Sequence, residues 1–168
     1  MMKKLFFSLI LLFNFSIVFA QDNVYFLDLD YMLNNSNLGK IVVEKIKKIN
    51  SQNIEELREK ENELKKLESD ISTKKNIISD NELNKMVNDL KKKVNLYKSI
   101  KNEKVNNINK VRNNELKMFF EKITPYIEEF MQKNSITIIL DKKNIFIADS
   151  NYDITQKLVD FLNTKKIE

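Results

Sequence analysis

Lys91, Lys92 and Lys93 stand side by side, and Lys98 and Lys101 follow in the same stretch. Lysines this close together do one kind of chemistry well: they raise the local positive potential and draw anionic partners toward them. Covalent and metal chemistry have little to work with. The 168-residue chain contains no His and no Cys. The commonest general base, the commonest metal ligand, disulfides and every Ser-His or Cys-His nucleophile pair are therefore excluded. Asp and Glu are plentiful, at 24, but they fall in helical charge runs, and the sequence gathers no pair of them in an apolar pocket. The chain reads as a non-enzyme, with no catalytic, cofactor-binding or metal-ligating residues.

The charge is unevenly spread. Residues 40–82 carry ten positive and ten negative side chains; residues 83–122 carry eleven and four; residues 21–39 and 123–168 together carry six and ten. The second half of the central region is thus the basic element, densest at Lys91-Lys92-Lys93. Three readings compete: a solvated helix face, attraction of acidic proteins or anionic lipid head groups, and nucleic-acid binding. An export signal and the lack of any base-reading motif argue against the last.

The elements that position these lysines are long helices. One Gly, one Pro and 32% charged residues suit solvated helices better than a thick core. Over 40–77, Ile46, Ile49, Leu57, Leu64, Leu67 and Ile71 recur at three-, four- and seven-residue steps. "SDNE" then punctuates the chain: Ser79 or Asp80 can cap a new helix, and Ser79 with Glu82 has capping-box spacing. Leu83, Val87, Leu90, Val94 and Tyr97 form a heptad seam, continued through Val105, Ile108, Val111, Phe119 and Ile123. Asn53 and Lys60 interrupt the seam on the first helix, and Lys101 and Lys104 on the second. Two helices joined by a short polar turn make a helical hairpin, each arm roughly 55–60 Å long. At Thr124-Pro125 a kink or a restarted helix is expected, with Thr124 as its cap.

The ends differ from the middle. "MMKKLFFSLILLFNFSIVFA" has a positive start, an apolar run of about fifteen residues and small residues before Gln21, the parts of a secretory signal peptide cleaved after Ala20. Its run is shorter than the roughly 20 residues that span a bilayer, and no Cys follows for lipid attachment. Near the other end, "ITIIL" and "IFIA" flank "DKKN" and read as a two-stranded hairpin in which Asn144 tolerates a left-handed conformation. The remaining strand candidate, "VYFLDL" at 24–29, is brought back by the helical hairpin to complete a three-stranded sheet. A last amphipathic helix carries Ile154, Leu158, Phe161 and Leu162 on one face, with Asp153 and Gln156 at capping-box spacing. It covers one side of the sheet; the other stays bare in a monomer, so the body is expected to oligomerise. The fold class is mainly α with a small β part (α+β). The divisions are a signal peptide at 1–20, a discontinuous β-containing body at 21–39 and 123–168, and an arm at 40–122.

These parts resemble the Skp/OmpH family of periplasmic chaperones for outer-membrane proteins. The resemblance spans the mature chain and is carried by "VYFLDLDYMLNNSNLGK", Pro125, "ITIILDKKNIFIADS" and "YDITQKLVDFLN"; the middle matches only as long helix. It implies a periplasmic homotrimer with a small β-barrel body and helical-hairpin arms around a cavity. Unfolded outer-membrane proteins are held there without ATP. It makes Phe26, Leu27, Ile138, Leu140 and Phe146 the expected interior of the trimer body, and Lys91, Lys92, Lys93, Lys98 and Lys101 a basic patch that steers clients. An anionic lipid or lipopolysaccharide surface is a further partner it suggests, with no arm residue assigned to it. The competing function is an exported coiled-coil adaptor or spacer with a β docking module.

Overall fold

The computed structural model describes residues 23–166; the expected signal peptide and its cleavage site lie outside them. The order is β1 (Val24–Leu27), α1 (Leu29–Asn35), α2 (Asn37–Lys74), α3 (Asp80–Lys133), β2 (Ile138–Asp141), 3-10 turns at Lys142–Asn144 and Ser150–Tyr152, and α4 (Thr155–Asn163). Helix α2 is about 57 Å long and α3 about 81 Å, because α3 continues past the arm into the body. The two pack along each other as the expected helical hairpin. Ser79 starts α3 as the sequence predicts, its hydroxyl accepting from the Glu82 N–H at 3.3 Å.

At the other end of the arm, α1 and α2 meet at a single residue. Asp28 caps α1 through the Tyr31 N–H, 2.9 Å, and buried Ser36 caps α2 through the Gly39 N–H, 3.1 Å. The chain folds back so tightly here that Gly39 lies against the Leu33 carbonyl.

The sheet differs from expectation. It has two strands, parallel, with Val24 opposite Ile138 and Leu27 opposite Asp141. The expected hairpin does not form. Asp141 accepts from the Lys143 N–H at 3.0 Å, a local side-chain bond that turns "DKKN" into 3-10 geometry rather than a hairpin loop. Ion pairs pin the turn, Lys142 to Asp153 at 3.2 Å and Lys143 to Asp30 at 2.7 Å. Residues 145–148 therefore leave without a strand, and β1 instead meets Asp153 on its other side through one bridge. Among the described non-glycine residues only Ser135 has positive φ, 54°, at the exit of α3; Asn144 does not. The arm is the long connection that a parallel pair requires.

Helix α3 also runs through Pro125 without a restart. Thr124 caps nothing and instead donates to the Phe120 carbonyl at 2.7 Å. Phe119, Ile123 and Phe130 are buried on both flanks of the proline, and this packing holds the helix across the lost bond. The core joins Leu27, Met32, Val42, Phe119, Ile123, Ile154, Leu158 and Leu162, so the body is as much helical as β. Gln156 does not complete a capping box; it accepts from the Tyr31 hydroxyl at 2.8 Å and donates to Asp160 at 2.8 Å. Asp153 alone accepts from the Thr155 N–H, 2.9 Å. Burial pushes its carboxyl up, but the Thr155 hydroxyl and N–H together with Lys142 hold it below the usual range.

Candidate functional site

The arm's inner seam is set by which residues are half-buried. On α2 they include Ile46, Ile49, Asn53, Leu57, Lys60, Leu64, Leu67 and Ile71, which places both expected interruptions inside the seam. On α3 Lys104 faces in as expected, but the register differs from the one predicted at its neighbours: Ile100 faces in, while Lys101 and Val105 face out. Lys104 reaches across to the Asn53 side-chain Oδ1 at 3.1 Å and pairs with Glu56. The hydrogen bond and the charge that Lys104 gives Glu56 itself hold the Glu56 carboxyl below the usual range, against some desolvation. The Asn53 Nδ2 is buried with no partner, which costs about 1–3 kcal/mol. Nearer the body, Lys45 pairs with Glu115 across the same two helices.

A polar layer of this kind is worth less than an apolar one. The double variant Asn53→Leu/Lys104→Leu is expected to stabilise the arm by about 1–3 kcal/mol in urea unfolding followed at 222 nm. Lys104→Ala alone should destabilise it, because Asn53 then loses its remaining partner. A double variant less stable than the parent would show that the layer is net stabilising.

The predicted basic residues all lie on the exposed surface of α3. Lys92 leans on Asp89 at 3.8 Å; Lys91, Lys93, Lys98 and Lys101 have no ion pair among the described residues. Beside Lys92 and Lys93 the seam opens into a shallow pocket of about 330 Å³ floored by Leu67, Ile71, Met86 and Leu90. Lysine charge and apolar surface are thus neighbours near the far end of the arm. Among the described residues no cluster of acidic side chains is arranged to hold a metal ion.

In the body, alternation along the strands separates the predicted residues. Leu27 and its neighbours Tyr25 and Ile139 point into the core. Phe26, Ile138 and Leu140 share the opposite face by register. Phe26 is covered, but Ile138 and Leu140 are 45% and 44% exposed. Phe146 is fully exposed, and so, nearly, is Ile147, which sequence reasoning did not single out. The apolar run "IFIA" was the signal for it. The far edge of β2 has no strand partner among the described residues. The body thus carries an open sheet edge with Ile138 and Leu140 half-exposed on one face, and separately an exposed apolar run at Phe146 and Ile147.

A clasp holds α4 beneath this face. The Lys165 Nζ donates to both Glu129 carboxylate oxygens at 2.8 Å and lies 4.5 Å from the Phe161 ring centre. Lys133 donates to Glu129 at 2.7 Å. These two lysines keep the Glu129 carboxyl below its ordinary value. A lowered folded value gives stability that is present above the unfolded value and lost as pH falls through the folded one. The stability difference between the parent and Glu129→Gln should therefore be full at neutral pH and shrink as pH falls below about 4.5. Thermal melts across pH 3–7 test this; a difference independent of pH would rule it out.

A model of the OmpH-like outer membrane protein family matches residues 23–162. No curated protein matches. Among solved structures, a crystal structure from Caulobacter crescentus CB15, described as an OmpH-like outer membrane chaperone, aligns with a TM-score of 0.73. The identity is 21%, and 86% of each chain is covered. The two chains share the fold.

Proposed function

The chain belongs to the OmpH-like family, and from that premise we propose that it is a periplasmic holdase chaperone, working without ATP, that keeps unfolded outer-membrane proteins from aggregating. The observation that carries this reading is the pairing of an open apolar face on the body with a long arm whose outer surface is basic. The face carrying Ile138 and Leu140, the free edge of β2 and the exposed Phe146 suit self-association into a trimer. Three arms then enclose a space in which a client is held. Unfolded barrel proteins expose alternating apolar side chains and are often acidic. The lysines at 91–93, 98 and 101 draw such chains in, and scattered apolar contacts hold them loosely, so release needs no fuel. The reading is supported by family membership and by the placement of charge and apolar surface. An anionic lipid or lipopolysaccharide surface is a further partner that the family membership suggests, with no arm residue assigned to it.

The test is aggregation of a denatured outer-membrane barrel, followed by light scattering in low salt with the mature protein in molar excess. Slowed aggregation, weakened by added salt, is the expected result; no slowing would end the holdase reading. Assembly is tested separately. Ile138→Asp should give a monomer in size-exclusion chromatography with light scattering while leaving the helical signal intact, because assembly would bury an unpaired charge. Replacing residues 64–94 by a short turn should do the reverse, keeping the trimer and weakening the hold on client. The ion pairs that close the two arm helices on each other favour a second reading, an exported adaptor or spacer. That reading predicts no effect on barrel aggregation.

A further inference from the structure

At the root of the arm, where the end of α1 meets α2 and α3, lies an open groove of about 600 Å³. Its floor is apolar, with Leu33, Ile46, Ile108 and Leu116 half-buried. Three charged groups line it: Asp30, Lys47 and Arg112. Asp30 is already engaged by Lys143 at 2.7 Å. Lys47 and Arg112 are exposed and have neither ion pair nor hydrogen bond among the described residues. Arg112 is one of two arginines among 29 basic residues. The other, Arg58, lies 4.0 Å from Glu55 on its own helix. A guanidinium presents a planar fork that grips a carboxylate through two hydrogen bonds, which the ammonium groups elsewhere on the arm do not. Asn50 and Asn109 add donors and acceptors on the rim that suit an extended backbone.

We propose that this groove binds an extended segment of unfolded polypeptide in which an apolar side chain stands next to an Asp or Glu. The apolar side chain enters the floor, Arg112 takes the carboxylate, and Lys47 reinforces the charge. The inference rests on the holdase reading and adds to it the class of client segment and a defined place of contact. The complementarity is specific: two cations without an ion pair among the described residues above an apolar floor, with the one carboxylate in the lining already paired with Lys143. A groove of this volume accepts a few side chains, within the range of ordinary ligand pockets.

The experiment uses the mature protein and fluorescence anisotropy with three labelled peptides of about ten residues. One alternates Leu with Glu, one replaces Glu by Gln and one replaces Glu by Lys. The Glu peptide should bind at least about tenfold more tightly than the other two. Lys47→Glu/Arg112→Glu should abolish that preference, and Arg112→Lys should retain part of it. Lys66→Glu/Lys74→Glu, an equal change in net charge elsewhere on α2, should leave it within about twofold. Equal losses in both charge-reversal variants would overturn the proposal, since the effect would then be general attraction. A change of assembled mass in Lys47→Glu/Arg112→Glu would also overturn it, by making a second copy the occupant. Peptide indifference in a protein that still slows barrel aggregation refutes the groove and leaves the holdase reading standing. Failure to slow aggregation removes that reading and the inference with it.

Discussion

Gly39→Ala should destabilise the body by about 3 kcal/mol, although the same change inside an ordinary helix stabilises by about 1 kcal/mol. Gly39 sits in the first turn of α2 with ordinary helical geometry, so conformational freedom is not the reason for glycine. The reason is space. A Cβ at this position would stand 2.0 Å from the Leu33 carbonyl oxygen, 2.7 Å from its carbon and 2.7 Å from the Ser36 Oγ. Two of these atoms are backbone and cannot rotate away. Either α1 moves off α2 or the Ser36 cap breaks, and both loosen Met32, which is fully buried beside the joint. A loss of about 3 kcal/mol lowers the melting temperature by roughly 6–12 °C in a chain of this size. The arm contributes most of the far-ultraviolet signal, so near-ultraviolet dichroism from Tyr25, Tyr152 and the buried phenylalanines is the appropriate probe. A melting temperature raised by Gly39→Ala would show that the joint has room and that helix propensity decides.

Phe119→Ala should be the costliest single truncation, at about 3–5 kcal/mol. Phe119 is 1% exposed and belongs to the cluster containing Met32, Val42, Ile123, Leu158 and Leu162. Its ring meets Phe120 edge-on at 5.3 Å between centres. The position lies where α3 passes from arm to body, so the cavity would be shared by α1, α2 and α4, and rigid helices cannot collapse into it. The neighbouring Met118 is 48% exposed, and Met118→Ala should change stability by no more than about 0.5 kcal/mol. Phe119→Leu keeps most of the volume and should cost about 1.5 kcal/mol or less. Urea unfolding with the same near-ultraviolet probe orders the three variants; equal losses at 118 and 119 would mean that the root of the arm is not part of the cooperative body.

Much of this arrangement is legible in the residues. The apolar steps on α2, the Ser79 cap and the heptads after it describe a helical hairpin, because helix periodicity and capping are local. The burial of Ile154, Leu158 and Leu162 follows from the same periodicity. The charge distribution is likewise legible in the residues, with the lysines gathered on the second half of the central region.

Other features follow from contacts between distant residues. "IIL" and "IFIA" look like partners because they are neighbours in sequence, yet Ile138 pairs with Val24 and the Asp141 turn turns the second run away. Lys104 rather than Lys101 enters the seam, because the facing helix supplies Asn53 and Glu56 at that level. Pro125 stays helical because both of its flanks are packed. The groove beside Arg112 exists only where three helices converge. The sequence by itself determined the helical hairpin and the basic side of the arm, since spacing and residue type act over one or two turns. The tertiary structure decided strand direction, seam register and the place of the open apolar face, since each depends on which surfaces meet between residues far apart in the chain: 51 positions for Asn53 and Lys104, and more than a hundred for the two strands.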